Sequence, residues 1–247
     1  MPHLAIVIPT YDEAANIEPL LRRIEQATAS MTGVRVGVVV VDDSSPDGTA
    51  ESARAVAVEL ERVDFTVRVW VRKEKNGLGA AYIWAISRLL AEEDAPDLIL
   101  QMDADFSHDP KYIPALVAET QAGADFVVAS RYIPGGGTPD WSLDRKILSR
   151  GGNLYTRLIL GRKLTDYTGG FNLFTADLLH RVHFETVTSS GYGFQIELKY
   201  RALRAARRIR EVPIVFLDRA EGESKIPGDT LWRNLLLVLE IRFGKHR

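Results

Sequence analysis

The sequence predicts an α/β protein: a Rossmann-like, mostly parallel sheet flanked by helices, in a single domain with a C-terminal amphipathic tail. Three observations predict it. Short apolar runs alternate with helix-length amphipathic stretches through the first half of the chain. Some of these runs have no polar face, as strands covered on both sides require. Several stop at acidic or turn-forming residues, where a parallel strand would end beside a ligand crevice.

Leu4 to Ile8 is an apolar β-type run closed by Pro9 and followed by Thr10-Tyr11-Asp12-Glu13; the pattern from Asn16 to Ala29 predicts an amphipathic helix. Val36 to Val41 is β-branched and apolar, and it ends in Asp42-Asp43-Ser44-Ser45-Pro46-Asp47-Gly48-Thr49. Turn chemistry accounts for Pro46 to Thr49, with Thr49 as the expected N-cap of a helix running to Arg62. It leaves two adjacent acids at a buried strand's end, where an acceptor for ribose hydroxyls or a base N–H is useful. Thr66 to Val71 reads as a third strand. The following Glu74-Lys75-Asn76-Gly77-Leu78-Gly79-Ala80-Ala81 opens a helix with Gly and small residues, which lets backbone approach a ligand closely or serves helix–sheet packing, the reading favoured here.

The stretch Asp97-Leu98-Ile99-Leu100-Gln101-Met102-Asp103-Ala104-Asp105-Phe106-Ser107-His108-Asp109-Pro110 carries the strongest chemistry. Leu98 to Met102 is a buried-strand run that stops at two carboxylates separated by one small residue. Two hard oxygen ligands there suit Mg²⁺ or Mn²⁺ carrying a diphosphate. A calcium loop of the EF-hand type needs Gly and Glu where this chain has His108 and Pro114, so that reading fails. Asp109 and Pro110 are expected to open the next helix as N-cap and first residue.

Asp125 to Ala129 is another apolar strand ending in Ser130-Arg131-Tyr132, and Ile133 to Asp140 is Gly- and Pro-rich, expected as a mobile loop beside the site. Arg145 to Leu160 is a cationic amphipathic helix, able to pack on the core or to lie on an anionic membrane. Asp166 to Phe174 turns into a strand, and Gly191-Tyr192-Gly193-Phe194-Gln195 starts a helix reaching Arg208 whose arginines read as a solvated face. Glu211 to Leu217 is the last expected strand. Residues 1–228 make the domain and 229–247 the tail, whose apolar run is far shorter than the about 20 residues a spanning helix needs.

The chain has 247 residues, 46% of them hydrophobic, enough for one large domain with a sizeable core. Its formal net charge of −2 argues against nucleic acid as a partner. The absence of cysteine excludes disulfide and thiolate chemistry and fits a reducing compartment. The N-terminal apolar run has no charged region ahead of it and is not a signal peptide.

Ile8 to Glu13, Asp42 to Thr49, Met102 to His108, Ser130-Arg131-Tyr132, Gly191 to Gln195, and Asp218-Arg219 through Gly222-Glu223-Ser224-Lys225 resemble, in this order, glycosyltransferase family 2 and its polyprenol (dolichol) phosphate mannosyltransferases. The resemblance implies a GT-A fold, GDP-mannose as donor, a polyprenyl phosphate as acceptor, and Mg²⁺ or Mn²⁺. The implied reaction is an inverting transfer giving a β-linked lipid phosphate mannose and GDP; glucose or another acceptor is the alternative within the family. By position, Pro9, Tyr11, Glu13, Val41 and Asp43 would hold the nucleoside. Asp103, Ala104 and Asp105 would hold metal and diphosphate with Ser107 nearby, and Arg131, Arg219 and Lys225 would grip phosphates, leaving Asp105, Arg131 and Arg219 as the catalytic set. Arg131, Arg145 and Ser224 would face the acceptor phosphate. Asn172 departs from the family, where Arg often follows Phe in this turn. The enzyme is expected on the cytoplasmic face of a membrane, docked directly or through a membrane-anchored partner. Two rival classes lack their signatures: there is no Q-x-x-R-W run of a processive synthase, and no G-x-G-T-R opening of a nucleotidyltransferase. A non-enzymatic nucleotide-binding regulator is the remaining alternative.

Overall fold

A computed structural model gives the fold and describes residues 1–189, 191–217 and 228–244. In chain order the elements are β1 (His3–Thr10), α1 (Ala14–Thr28), β2 (Arg35–Asp42), α2 (Thr49–Leu60), β3 (Phe65–Val71), α3 (Leu78–Leu90), β4 (Leu98–Gln101), α4 (Ile113–Gln121), β5 (Phe126–Ser130), α5 (Leu143–Leu160), β6 (Asn172–Thr175), α6 (Ala176–Arg181), α7 (Tyr192–Ala205), β7 (Ile209–Pro213) and α8 (Gly228–Phe243). The described residues form one seven-stranded sheet in the order β3-β2-β1-β4-β6-β5-β7.

Both faces of the sheet are covered at its centre, which is why β2, β5 and most of β1 and β4 have no polar face, whereas the edge strands β3 and β7 carry Arg68 and Arg210. Alternate residues go to opposite sides: Leu4, Ile6 and Ile8 join Val38, Val40 and Leu100 under α1, α2 and α4. Ala5, Val7, Val39, Val41 and Ile99 join the second core under α3 and α7. α8 closes this second core with Val238 and Ile241, while Leu236, Leu239 and Phe243 stay exposed.

Several local expectations change. The sheet is mixed, because β6 runs antiparallel to both β4 and β5. The stretch 161–171 brings the chain back to the carboxyl edge before β6 begins, so β6 enters there and runs in reverse. Gly48, not Thr49, is the N-cap of α2; Thr49 is the first helical residue, and its N–H donates to the Asp47 carboxylate. α7 stops at Ala205 instead of Arg208 because Asp125 draws the backbone N–H groups of Arg207 and Arg208 to its carboxylate, at 2.9 and 3.0 Å. β7 ends at Pro213, which has no N–H for the ladder. The loop expected to be mobile is instead tied to the sheet edge: Gly137 N–H donates to the Ile214 carbonyl, and Phe216 N–H to that of Gly137.

The small residues opening α3 do pack closely, but at Gly79 the partner is a helix and not the sheet: an added Cβ would lie 2.9 Å from the Phe194 ring of α7. Phe194 is itself buried and stacks on Tyr82. Gly79→Ala is therefore expected to cost about 1–3 kcal/mol by overpacking. A urea midpoint equal to wild type would show that the ring yields freely.

Candidate active site

β1, β2, β3, β4 and β5 all point their carboxyl ends to one edge, and the turn that precedes β6 lands on the same edge. Pro9 and Val41 are neighbours across β1 and β2, with Tyr11, Glu13 and Asp43 just beyond them. Asp103, Ala104 and Asp105 follow β4, and Arg131 follows β5. The structure thus lines these sequence-predicted residues along one crevice edge. Arg145 lies on the first turn of α5, its guanidinium 4.0 Å from the Trp141 ring centre. Arg219, Ser224 and Lys225 fall outside the described residues.

The two turns that follow β1 and β2 are bolted together. Asp42 is buried and accepts hydrogen bonds from the Thr10 and Ser45 hydroxyls and the Ser45 N–H. The backbone N–H groups of Asp12, Glu13 and Ala14 donate to Ser45 Oγ, Thr49 Oγ1 and Asp47 Oδ2. Asp42 and Asp47 therefore do structural work, and Asp43 follows β2 with a different partner. Asp43 Oδ1 accepts from Arg72 at 2.9 Å in a buried pair. Burial pushes the Asp43 carboxyl above its usual range, against the pull of Arg72. Lys75 sits 3.3 Å from the Tyr11 ring centre, a cation–π contact at the same corner. Asp12, Ser44 and Phe106 hold left-handed backbone at this edge, where strained conformations tend to mark function.

At β4 the acids are held from behind. The Asp103 N–H donates to His108 Nδ1 at 2.9 Å, and His108 Nε2 lies 3.7 Å from Asp103 Oδ2. Accepting at Nδ1 fixes the imidazole proton on Nε2, toward the carboxylate. His108 is buried, stacked on Phe171, and burial lowers its pKa, so it stays neutral. Ser107 donates through its N–H and hydroxyl to Asp105 Oδ1, at 3.1 and 2.5 Å. A Cβ on Gly170 would meet His108 and Asp103, so the turn before β6 presses directly on this pair.

Among the described residues no three His, Asp or Glu side chains gather as a metal cage. Two partly exposed carboxylates fit a cation that keeps waters and takes its remaining ligands from a substrate diphosphate, which is the habit of Mg²⁺. The donor set therefore suits a cation that arrives with its ligand.

Arg131 is the most constrained cation of the edge. Its Nε and Nη2 donate to the two Asp166 oxygens, each at 2.7 Å, and Nη2 also reaches Thr168 Oγ1 at 2.8 Å. Tyr132, Trp141 and Phe216 surround the guanidinium. Asp166 is fully buried; although burial raises its pKa, Arg131 and Lys199 outweigh that and hold it well below the usual carboxylate range. Asn153 braces the turn, donating to Thr168 Oγ1 and accepting from the Tyr167 N–H. Glu211 holds Thr165 through its N–H and hydroxyl, and Thr165 contacts Ser130.

His108, Asn153, Asp166, Lys199 and Glu211 escape sequence reasoning as members of the site. Only Asp166 carries a local sign, an acid opening a Gly-rich turn; His108 lies in the loop after β4 and the others on helices or strands, and the burial of each is a tertiary fact. Asn172, where the family pattern is broken, points into the sheet: its amide nitrogen reaches Gln101 Oε1, Gln195 Oε1 and the Gly169 carbonyl. A cleft of about 510 Å³ opens at the opposite edge beside Met1, Asp97 and Thr120, away from the residues described above. Shape alone would misplace the site.

A sheet of this topology, with paired carboxylates, a clamped arginine and two interlocked turns on one carboxyl edge, defines a protein of the GT-A glycosyltransferase class. The chain belongs to glycosyl transferase family 2, whose family model matches residues 5–182. It is 41% identical over 226 residues to an undecaprenyl-phosphate mannosyltransferase of Micrococcus luteus, covering 90% of this chain and 86% of that protein. It is 37% identical over 240 residues to a polyprenol monophosphomannose synthase of Mycolicibacterium smegmatis, covering 95% and 85%. Among solved structures, glucosyl-3-phosphoglycerate synthase from Mycobacterium tuberculosis in complex with Mg²⁺ and uridine-diphosphate superposes with a TM-score of 0.63 at 21% identity, covering 98% of this chain and 79% of that one. At that identity the likeness carries the fold.

Proposed function

We propose that this glycosyltransferase moves mannose from GDP-mannose to a polyprenyl phosphate, with inversion and with Mg²⁺ or Mn²⁺ bound. The observation that carries the reading is the placement of Asp103 and Asp105 on the same crevice edge as the clamped Arg131. The two relatives named for lipid-phosphate mannosyl transfer support the choice of sugar and acceptor. Pro9, Tyr11, Glu13, Val41 and Asp43 hold the nucleoside; Asp103, Ala104 and Asp105, with Ser107, hold cation and diphosphate. Arg131 and Arg145 meet phosphate, joined by Arg219, Ser224 and Lys225 from beyond the described residues.

The chemistry needs no strong general base. A phosphate monoester with a second pKa near ~6 is already anionic at neutral pH. One of its oxygens bonds to the anomeric carbon as the bond from that carbon to the diphosphate breaks, so an α-linked donor gives a β-linked product. The barrier is the crowding of two anions and the charge on the leaving diphosphate. A bound divalent cation supplies charge neutralisation there; the chain supplies its two carboxylates and a guanidinium that cannot swing. A transfer assay with labelled GDP-mannose and a short polyprenyl phosphate, with and without Mn²⁺, tests the reading. Transfer only from another nucleotide sugar would overturn it.

The acceptor's tail requires the enzyme to come to the bilayer, since exposing it costs ~0.8 kcal/mol per CH₂. No helix among the described residues is long and apolar enough to cross a membrane. The docking surface we propose is the exposed stripe Leu143, Ile147, Leu154 and Leu158 on α5, with Arg150 beside it. Leu236, Leu239 and Phe243 of α8 extend it, joined where the Tyr155 hydroxyl donates to the Leu235 carbonyl. Cysteine-free composition accords with the cytoplasmic face. Because Val238 and Ile241 belong to the core, deleting the tail would confuse docking with folding. Leu154→Glu with Phe243→Glu is instead expected to lower sedimentation with anionic liposomes and transfer to a long polyprenyl phosphate, and to spare a short soluble one. Equal losses on both acceptors would remove the docking role; an unchanged pair of activities would point to a membrane-anchored partner protein.

A further inference from the structure

Lys199 is a buried charge that the site as described leaves without a task. It lies on α7, 0% exposed, with Nζ donating to the Asp166 carbonyl oxygen at 2.8 Å. The Asp166 carboxylate is already matched by Arg131 through two bonds of 2.7 Å. Lys199 is thus a second cation behind a completed ion pair. Glu211, the other acid acting on it, is engaged with the Thr165 N–H and hydroxyl. Desolvation brings the Lys199 pKa down to about 8, so the group is still charged at neutral pH and carries the cost of its burial. An apolar side chain of that length would fill the space more cheaply.

What Lys199 does secure is the back of the turn. Its ammonium fixes the Asp166 main chain, Asp166 accepts at one oxygen from the N–H groups of Thr168 and Gly169, and Thr168 and Asp166 together grip the Arg131 guanidinium. We propose that Lys199 is a positioning residue: it holds the Asp166–Thr168 turn, and through it Arg131, in the orientation that meets a phosphate at the carboxyl edge. It acts through Arg131, and with Glu211 it completes a cluster of two cations and two carboxylates behind the turn. The inference rests on the reading of Arg131 as a phosphate-gripping residue.

Lys199→Met removes the charge at similar volume and leaves the Arg131–Asp166 pair intact. Its melting temperature is expected to stay near wild type, because the desolvation cost of a buried ammonium is recovered while the Asp166 carbonyl loses its donor. Its kcat for transfer to a short polyprenyl phosphate is expected to fall about 10- to 100-fold, as a misplaced group would cause. GDP affinity should stay within about twofold of wild type. Lys199→Gln, which keeps a donor toward the carbonyl, should recover part of the turnover. Wild-type kcat in Lys199→Met, or losses of stability, GDP affinity and kcat in parallel, would overturn the proposal. Should the Met variant not fold, Lys199→Gln decides alone: reduced kcat with unchanged melting and GDP affinity supports positioning, and wild-type kcat overturns it. Arg131→Lys separates the two ideas. Wild-type turnover there would remove the phosphate role of Arg131 itself, whereas a poor Arg131→Lys beside an unimpaired Lys199→Met would remove only the inference.

Discussion

Asp105→Asn is expected to reduce metal-dependent transfer at least ~100-fold, the scale on which even outer-shell losses disturb metal sites, while leaving the fold intact. Asparagine has the same volume, and its carbonyl oxygen can still accept from the Ser107 N–H and hydroxyl that Asp105 Oδ1 now receives. The turn therefore survives, and if Asp103 and Asp105 hold the cation as proposed, one of two charged ligands is lost and Asp103 alone would retain it weakly. Initial rates across a Mn²⁺ titration, beside thermal melts, check this. Wild-type activity at limiting Mn²⁺ would show that Asp105 holds no cation.

Arg131→Ala is expected to be the most damaging single change to stability as well as to turnover. It leaves Asp166, fully buried, without the guanidinium that compensates it. Breaking a buried pair from one side costs about 3–5 kcal/mol, and the low end applies here because Lys199 remains beside the acid. The effect has a pH signature. In wild type the Asp166 pKa is depressed, so its stabilising contribution is present above the ordinary carboxylate pKa and lost as pH falls. In the variant, burial dominates and raises that pKa, so the penalty is full at neutral pH and relieved by protonation. The stability gap should therefore shrink between about pH 7.5 and about pH 4.5 in urea unfolding. A gap constant over that range would mean that Asp166 is neutral or solvated in the variant. If transfer is the function, kcat should fall more than donor affinity, because charge is greatest as the leaving group departs.

The sequence by itself determined the layered α/β architecture, because apolar runs of strand length without a polar face have one stable use, a sheet covered on both sides. It determined the functional edge as well: Asp103, Asp105, Asp43 and Arg131 each stand at the end of such a run, and parallel strands bring those ends together. It also made Gly79 a packing residue. Tertiary structure alone decided which partner each acid takes. Asp42 and Asp43 are indistinguishable neighbours in sequence, and only the position of Thr10 and Ser45 gives one of them away to the turn. The reversal of β6 was likewise hidden, since strand direction depends on where the loop before it lands. So were Lys199 and His108, polar residues whose partners lie far along the chain or beneath it. A lysine on a helix reads as solvated because that is the low-energy default; its burial here follows from the sheet and the turn closing over it, a long-range event that no local pattern encodes.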